Sequence, residues 1–172
     1  MQTKAPALLV DGDLNRSALD WAGRGSLPFK VVDEKQGVRY ARDYEHIVMD
    51  TPARPTPQDL KTLAQGWDLL ILPSSPDAMA LSAMLQMVEA LYSLSSNYRI
   101  LLTVIPPAPS KVGAQSRATI EKAGLPIIKS DMRRLAVFQK AALVGVPVNA
   151  IKAPYAKGDW GCYAAVGKEI LL

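Results

Sequence analysis

Short apolar runs separated by longer amphipathic stretches set the pattern of this chain. Ala7–Val10, His46–Met49, Leu69–Leu72, Ile100–Ile105 and Pro126–Ile128 predict buried strands, being brief and rich in Leu, Ile and Val. Val144–Val148 adds a weaker sixth strand. Between them, helices are predicted over Ser17–Ala22, Pro57–Gln65, Ala78–Ser93, Val112–Ala123, Leu135–Leu143 and Tyr155–Leu171. Pro57 suits a first helical position behind Thr56 as cap, and Gly66 and Gly124 stand where helices should stop. Strands alternating with helices predict an α/β fold, a mostly parallel doubly wound sheet flanked by helices. Ala78–Ser93 is apolar nearly all round, which predicts a buried helix; a methionine-rich partner surface is the alternative.

Composition narrows the class. At 172 residues the chain suits one domain, 1–172, with no internal repeat, low-complexity tract or linker. With 49% apolar and 21% charged residues it can bury a sizeable core. Aromatics at 6% argue against a stacking platform for single-stranded nucleic acid. One cysteine, Cys162, and one histidine, His46, exclude an internal disulfide and make Cys- or His-based metal centres improbable. Met1 to Pro6 is polar, and no run approaches the roughly 20 apolar residues of a membrane span. The expectation is a cytoplasmic protein with no membrane association, and the C-terminus carries no basic amphipathic tail.

The net charge of +4 is unevenly spread. Residues 1–98 hold nine Lys and Arg against twelve Asp and Glu, whereas residues 99–172 hold eleven against four. A basic half can attract nucleic acid, and it can equally serve solubility.

In an open parallel sheet, ligands bind beyond the carboxyl ends of the strands. Those ends read Asp11-Gly12-Asp13, Asp50-Thr51-Pro52, Pro73-Ser74-Ser75, Pro106-Pro107 and Ser130-Asp131. Carboxylates there suit hydrated Mg²⁺, which takes one or two of them plus phosphate oxygens. The same aspartates can instead cap turns and helices, and the pattern alone leaves both readings open. Gly161 to Lys168 imitates a phosphate-binding loop but fails it: five residues separate the glycines, Glu169 follows the lysine, and the segment lies in a predicted helix. Ser74 and Ser75 lack a nucleophile elbow. His46 begins a predicted core strand, and Cys162 is expected to pack as a small apolar group.

Four blocks carry a family resemblance. Leu8-Leu9-Val10-Asp11-Gly12-Asp13 with Asn15-Arg16-Ser17-Ala18-Leu19-Asp20-Trp21-Ala22 looks like the strand and switch of ParA-type ATPases, whose usual form is close to LLVDxDPQGSALDWA. Tyr44 to Pro52 resembles the Walker B strand, YDxVxIDTP. Leu69 to Pro73 with Ser75-Pro76 is similar to the block that follows it, and Arg133 to Ala141 resembles a late segment with arginine, phenylalanine and a short Ala-rich helix. The order and spacing match from about residue 7 onward.

The resemblance implies a deviant Walker A P-loop ATPase of the ParA/MinD type. It implies a homodimer around two ATP molecules with Mg²⁺, non-specific DNA binding, and a ParB-like or other activator protein. Such proteins segregate plasmids or chromosomes, or position other cargo, in the cytoplasm and on the nucleoid. Carried over, Asp13 matches the switch aspartate that acts near Mg²⁺ and the attacking water, and Asp50 matches the Walker B aspartate that holds Mg²⁺ through water. With the strand ends above, Asp11, Asp50, Thr51 and Pro106 become the cofactor-facing positions. Arg133, Arg134 and Lys140 are the candidates for DNA phosphates.

The departures bear on activity. Family members open with a strand, KGGVGKT and a helix, whereas Met1-Gln2-Thr3-Lys4-Ala5 here reads as that helix's last turn. The piece not found is a strand–loop–helix unit of about 30 residues. Leu14 and Asn15 replace Pro-Gln, and Thr103 to Pro107 lacks the Asn-Arg of many relatives. The expectation is that the chain as given does not hydrolyse ATP. Either it derives from an ordinary ATPase, or it is a P-loop-less binding module for DNA or a partner. Exposed apolar sheet edges weigh toward the first.

Overall fold

A computed structural model describes residues 7–53, 55–152 and 156–171. The chain divides into two compact units: Met1–Pro55 with Ala136–Trp160, and Thr56–Leu135 with Gly161–Leu172.

The first unit is built on three parallel strands, β1 (Ala7–Asp11), β2 (Lys30–Asp33) and β3 (His46–Asp50), in the order β2-β1-β3. Helix α1 (Ser17–Arg24) connects β1 to β2, and α2 (Glu34–Tyr40) leads from β2 toward β3. Alternation along β1 sets the layers. Leu8 and Val10, with Val32, form a small core on one face, where Gly37 of α2 sits so close that a Cβ would lie 3.0 Å from both Val10 methyls. Asp11 points to the other face and meets α1. Helices therefore cover both faces, as the doubly wound expectation requires.

Helix α6 (Ala136–Val144) returns to this unit and packs on α1. Gly145 closes α6 in the left-handed region (φ 69), and a Cβ on it would lie 2.3 Å from Gly25 N. The two helix ends thus meet backbone to backbone. Val144–Val148, expected as a strand, is instead the end of α6 and a 3₁₀ turn over Val148–Ala150; Gly145 terminates the helix and Val146 N–H closes onto Ala141 O at 3.2 Å.

The second unit holds β4 (Leu70–Ser74) and β5 (Tyr98–Leu102), parallel and in register. Around them lie α3 (Pro57–Gly66), α4 (Ala78–Ser93), α5 (Val112–Lys122) and the C-terminal part of α7 (Ala156–Ile170). Thr56 and Asp59 form a reciprocal capping box that fixes the start of α3. Leu60, Leu72, Met84, Val88, Leu91, Ile100, Leu102 and Ile120 make one core. Pro126–Ile128 forms only a single parallel bridge, Ile100 with Ile127, and the chain after it bridges once more at Ile105 with Arg133. Helix α4 buries the stripe Met84, Val88 and Leu91 but leaves Met79 85% and Tyr92 82% exposed, so it is half-buried rather than enclosed. No helix among the described residues is long and apolar enough to cross a membrane.

Candidate functional site

Parallel register brings three aspartates level at the carboxyl ends of the first sheet. Asp11 pairs across to Asp33 on one side and to Asp50 on the other. In a parallel pair, level residues face the same side, so the three carboxylates start from one row.

Each is then used differently. Asp11 is fully buried, and its carboxylate accepts Leu19 N–H at 2.9 Å and Asp13 N–H at 3.2 Å. Helix α1 has no side-chain cap of its own, because its N-cap, Arg16, offers none. Asp11 takes that role from eight residues upstream, satisfying an orphan N–H and favouring the positive helix end. Asp33 caps α2 by accepting Gln36 N–H at 2.8 Å. Asp50 is exposed, and among the described residues no donor reaches its carboxylate. Partial burial, and then the negative charges of Asp11 and Asp13, push the Asp50 carboxyl above its ordinary value.

Asp13 sits two residues beyond β1 in a loop that folds on itself. Its carboxylate accepts Asn15 N–H at 3.2 Å, and its carbonyl accepts Arg16 N–H at 3.1 Å. Gly12 N–H donates to Asp50 O at 2.8 Å, and a Cβ on Gly12 would lie 2.8 Å from that oxygen. Only glycine lets the Asp13 loop approach the end of β3 so closely.

Arg16 and Glu34 complete the edge, and neither was singled out as a site residue from sequence. Arg16 Nη1 donates to Glu34 Oε2 at 2.7 Å and also to Asp11 O. The Arg16 hydrogen bond holds the Glu34 carboxyl below its usual value. The signal for Glu34 lay in Asp33-Glu34 directly after Val31-Val32, a strand end hidden by the brevity of β2.

The structure brings Asp11, Asp13 and Asp50 together, with Thr51 following β3, half-buried. Pro106, Arg133 and Arg134 lie in the second unit, and Lys140, on α6, in the first. Arg133 and Arg134 are exposed where Met132 N–H and Arg134 N–H bond Leu102 O and Ile105 O. Asp131, another strand-end acid, is engaged by the Arg117 guanidinium. Gly161 to Lys168 lies inside α7, as expected of a false phosphate loop.

The donor set decides what this edge can hold. Among the described residues no three His, Cys, Asp or Glu groups are placed to enclose a metal ion. Asp13 and Asp50 nonetheless suit hydrated Mg²⁺, which needs one or two carboxylates and keeps its waters. No segment of the sequence matches the loop whose N–H groups would cradle phosphates.

No protein-family model matches the sequence. The chain is 27% identical over 178 residues to the maintenance of carboxysome distribution protein A of Gloeobacter kilaueensis, covering 99% of this chain and 82% of the relative. It is 26% identical over 159 residues to the protein of the same name from Halothiobacillus neapolitanus, covering 84% and 74%. In three dimensions it matches a chain of the MinC:MinD cell division protein complex of Aquifex aeolicus with a TM-score of 0.70. That match has 13% identity and covers 98% of this chain and 84% of the other. The chain thus shares with that structure an α/β fold of parallel strands flanked by helices, and its sequence is similar over most of its length to two carboxysome distribution proteins.

Proposed function

We propose that this chain is a ParA/MinD-like positioning protein whose first unit carries the metal-facing half of a nucleotide site. The observation that carries the proposal is the Asp50 carboxylate. It is exposed, without a hydrogen-bond donor among the described residues, and held next to Asp13 while its in-register neighbours Asp11 and Asp33 cap helices. A carboxylate kept uncompensated at a strand end is what ligand binding requires and stability does not. In the proposal Asp13 and Asp50 would hold Mg²⁺ through water, and Thr51 would line the nucleotide. The ion supplies charge neutralisation for phosphate oxygens. Asp11 supports the site through the helix it caps. As a single ParA-like domain the chain further acts as a homodimer with an activator partner, in the cytoplasm and on DNA.

Calorimetric titration of ATP with and without Mg²⁺ tests this reading. Binding is expected to require Mg²⁺ and to weaken at least tenfold in Asp50→Ala. Binding that needs no metal, or that survives Asp13→Ala combined with Asp50→Ala, overturns it. The chain by itself is expected to show no ATP turnover, since its sequence holds no phosphate loop.

A second reading is favoured by the exposure of Arg133 and Arg134 in the basic half. It makes the chain a non-catalytic module for non-specific DNA. If wild type binds no ATP yet binds DNA with strong salt dependence, this reading stands; Arg133→Ala with Arg134→Ala should lower the salt slope by about 2.

A further inference from the structure

Arg16 stands out in the first unit because its backbone is left-handed, with φ 52 and ψ 33. Glycine enters that region freely, whereas a residue with a Cβ needs a reason to stay there. The reason is in its own side chain. Nη1 donates to Glu34 Oε2 at 2.7 Å and to the carbonyl of Asp11, so one guanidinium ties the end of β1 to the first turn of α2. The loop from Gly12 to Asn15, which carries Asp13, is strung between those anchors. Besides this tether, Gly12 N–H bonds Asp50 O and Asp13 N–H bonds the Asp11 carboxylate at the start of the loop, whereas its far end has only the local bonds from Asn15 N–H to the Asp13 carboxylate and from Arg16 N–H to Asp13 O.

Glu34 is suited to its end of the pair. It opens α2, where the helix dipole favours a carboxylate, and the Arg16 hydrogen bond holds its carboxyl below the usual value. Both side chains remain partly open to water, at 37% and 43% exposure, so the pair is within reach of solvent and salt.

We propose that Arg16 and Glu34 form a latch that holds the Asp13 loop in one conformation and frees it when the pair opens. Both are positioning residues acting on Asp13. The latch rests on the proposed nucleotide site only for what Asp13 does there; the tether itself stands on its own geometry.

Amide hydrogen exchange and trypsin cleavage at the Arg16–Ser17 bond read the loop directly. In Glu34→Gln the amides of Asp13, Asn15 and Arg16 are expected to exchange on the order of fivefold faster, with cleavage rising in step, while β1 and α2 stay protected. Arg16→Gly removes the tether and the backbone constraint together and should loosen the same amides. The exchanged pair, Arg16→Glu with Glu34→Arg, should recover part of the protection. In wild type 1 M salt should speed loop exchange, and in Glu34→Gln it should not, a signature that simple loss of packing cannot produce. Unchanged loop exchange in both single variants overturns the latch, and so does loosening that spreads evenly through β1, β2 and α2. Mg²⁺–ATP titration of the same samples separates the two ideas: the latch can hold in a chain that binds no nucleotide, and its failure leaves Asp13 and Asp50 as candidates.

Discussion

Replacing Asp11 with alanine distinguishes a carboxylate that builds the fold from one that only receives a ligand. In the structure its two oxygens satisfy Leu19 N–H and Asp13 N–H inside a fully buried position. Leu19 N–H is one of the orphan donors of α1, and losing its acceptor costs about 1–3 kcal/mol. Asp13 N–H lies in a half-buried loop and can turn to water, so it contributes about 1 kcal/mol or less. Removing a negative charge beside Asp13 and Asp50 returns roughly 0.5 kcal/mol. The net loss for Asp11→Ala is about 0.5–3.5 kcal/mol. At a urea dependence of about 2 kcal/mol per M, the midpoint should fall by about 0.3–1.7 M. Trp21 reports on this unit, since its ring lies edge-on to Phe29 at 6.0 Å and its Nε1 donates to Ala141 O at 3.4 Å. Its fluorescence should be followed with Trp67 and Trp160 replaced by Phe. Asp11→Asn, which keeps an acceptor oxygen, should lose about half as much. A midpoint that moves by less than about 0.3 M in Asp11→Ala would refute the capping argument and return Asp11 to a purely ligand-facing role.

Three further outcomes follow from the same geometry. Gly12→Ala places a Cβ 2.8 Å from Asp50 O, which must shift; a loss of about 1–2 kcal/mol in urea unfolding, and changed amide shifts at Asp50 and Thr51, are expected. Because the folded state raises the Asp50 carboxyl above its unfolded value, Asp50 weakens the fold as pH rises past the unfolded value, and no such penalty exists in acid. Asp50→Asn should therefore melt slightly higher than wild type at pH 7 and show no gain near pH 3; a lower melting point at neutral pH refutes this. For Glu169, burial alone would raise its carboxyl, but Ser130 Oγ at 2.6 Å and the N–H groups of Lys129 and Ser130 at 2.7 and 2.9 Å outweigh that and lower it. Glu169→Gln should cost about 1–2 kcal/mol above pH 5, with the difference from wild type closing as pH falls through the folded value of Glu169; a difference independent of pH would refute it.

What could be read from sequence followed the strength of the local signal. Helix α4 was legible to the residue because sixteen consecutive positions carry few polar side chains, yet its exposed Met79 and Tyr92 were not, since composition does not say which face finds a neighbour. Strand β2 and helix α2 escaped because Val31-Val32 is a short signal and Glu34–Tyr40 carries a mid-helix glycine with a single aliphatic residue. Gly37 is unfavourable for an isolated helix and is explained only by Val10 lying against it, a tertiary fact. Val144–Val148 misled for the opposite reason: three valines outvoted Gly145, whose left-handed backbone ends the helix. For the site, the strand-end rule found Asp11, Asp13 and Asp50. Missing β2 meant missing Asp33 and Glu34, and with them the partner that explains Arg16.

The three level aspartates show how one residue type at equivalent positions acquires different chemistry. What separates them is the geometry of the chain that follows each strand. After β1 the chain turns back so that the first turn of α1 presents Leu19 N–H to Asp11, and burial of that carboxylate is compensated by two donors. After β2 the helix begins at once, and Asp33 becomes its cap while remaining near water. After β3 the chain leads into Thr51-Pro52 with no helix following directly. Proline offers no N–H, so the last aspartate of the row is left with neither a donor nor full solvation. The cost falls on Asp50 as repulsion from Asp11 and Asp13, which water screens only in part. A cation at Asp50 would remove that repulsion at the one carboxylate of the row that no backbone group has claimed. The structural roles of Asp11 and Asp33 and the role proposed for Asp50 are thus divided by a single local choice, whether a helix N-terminus follows the strand.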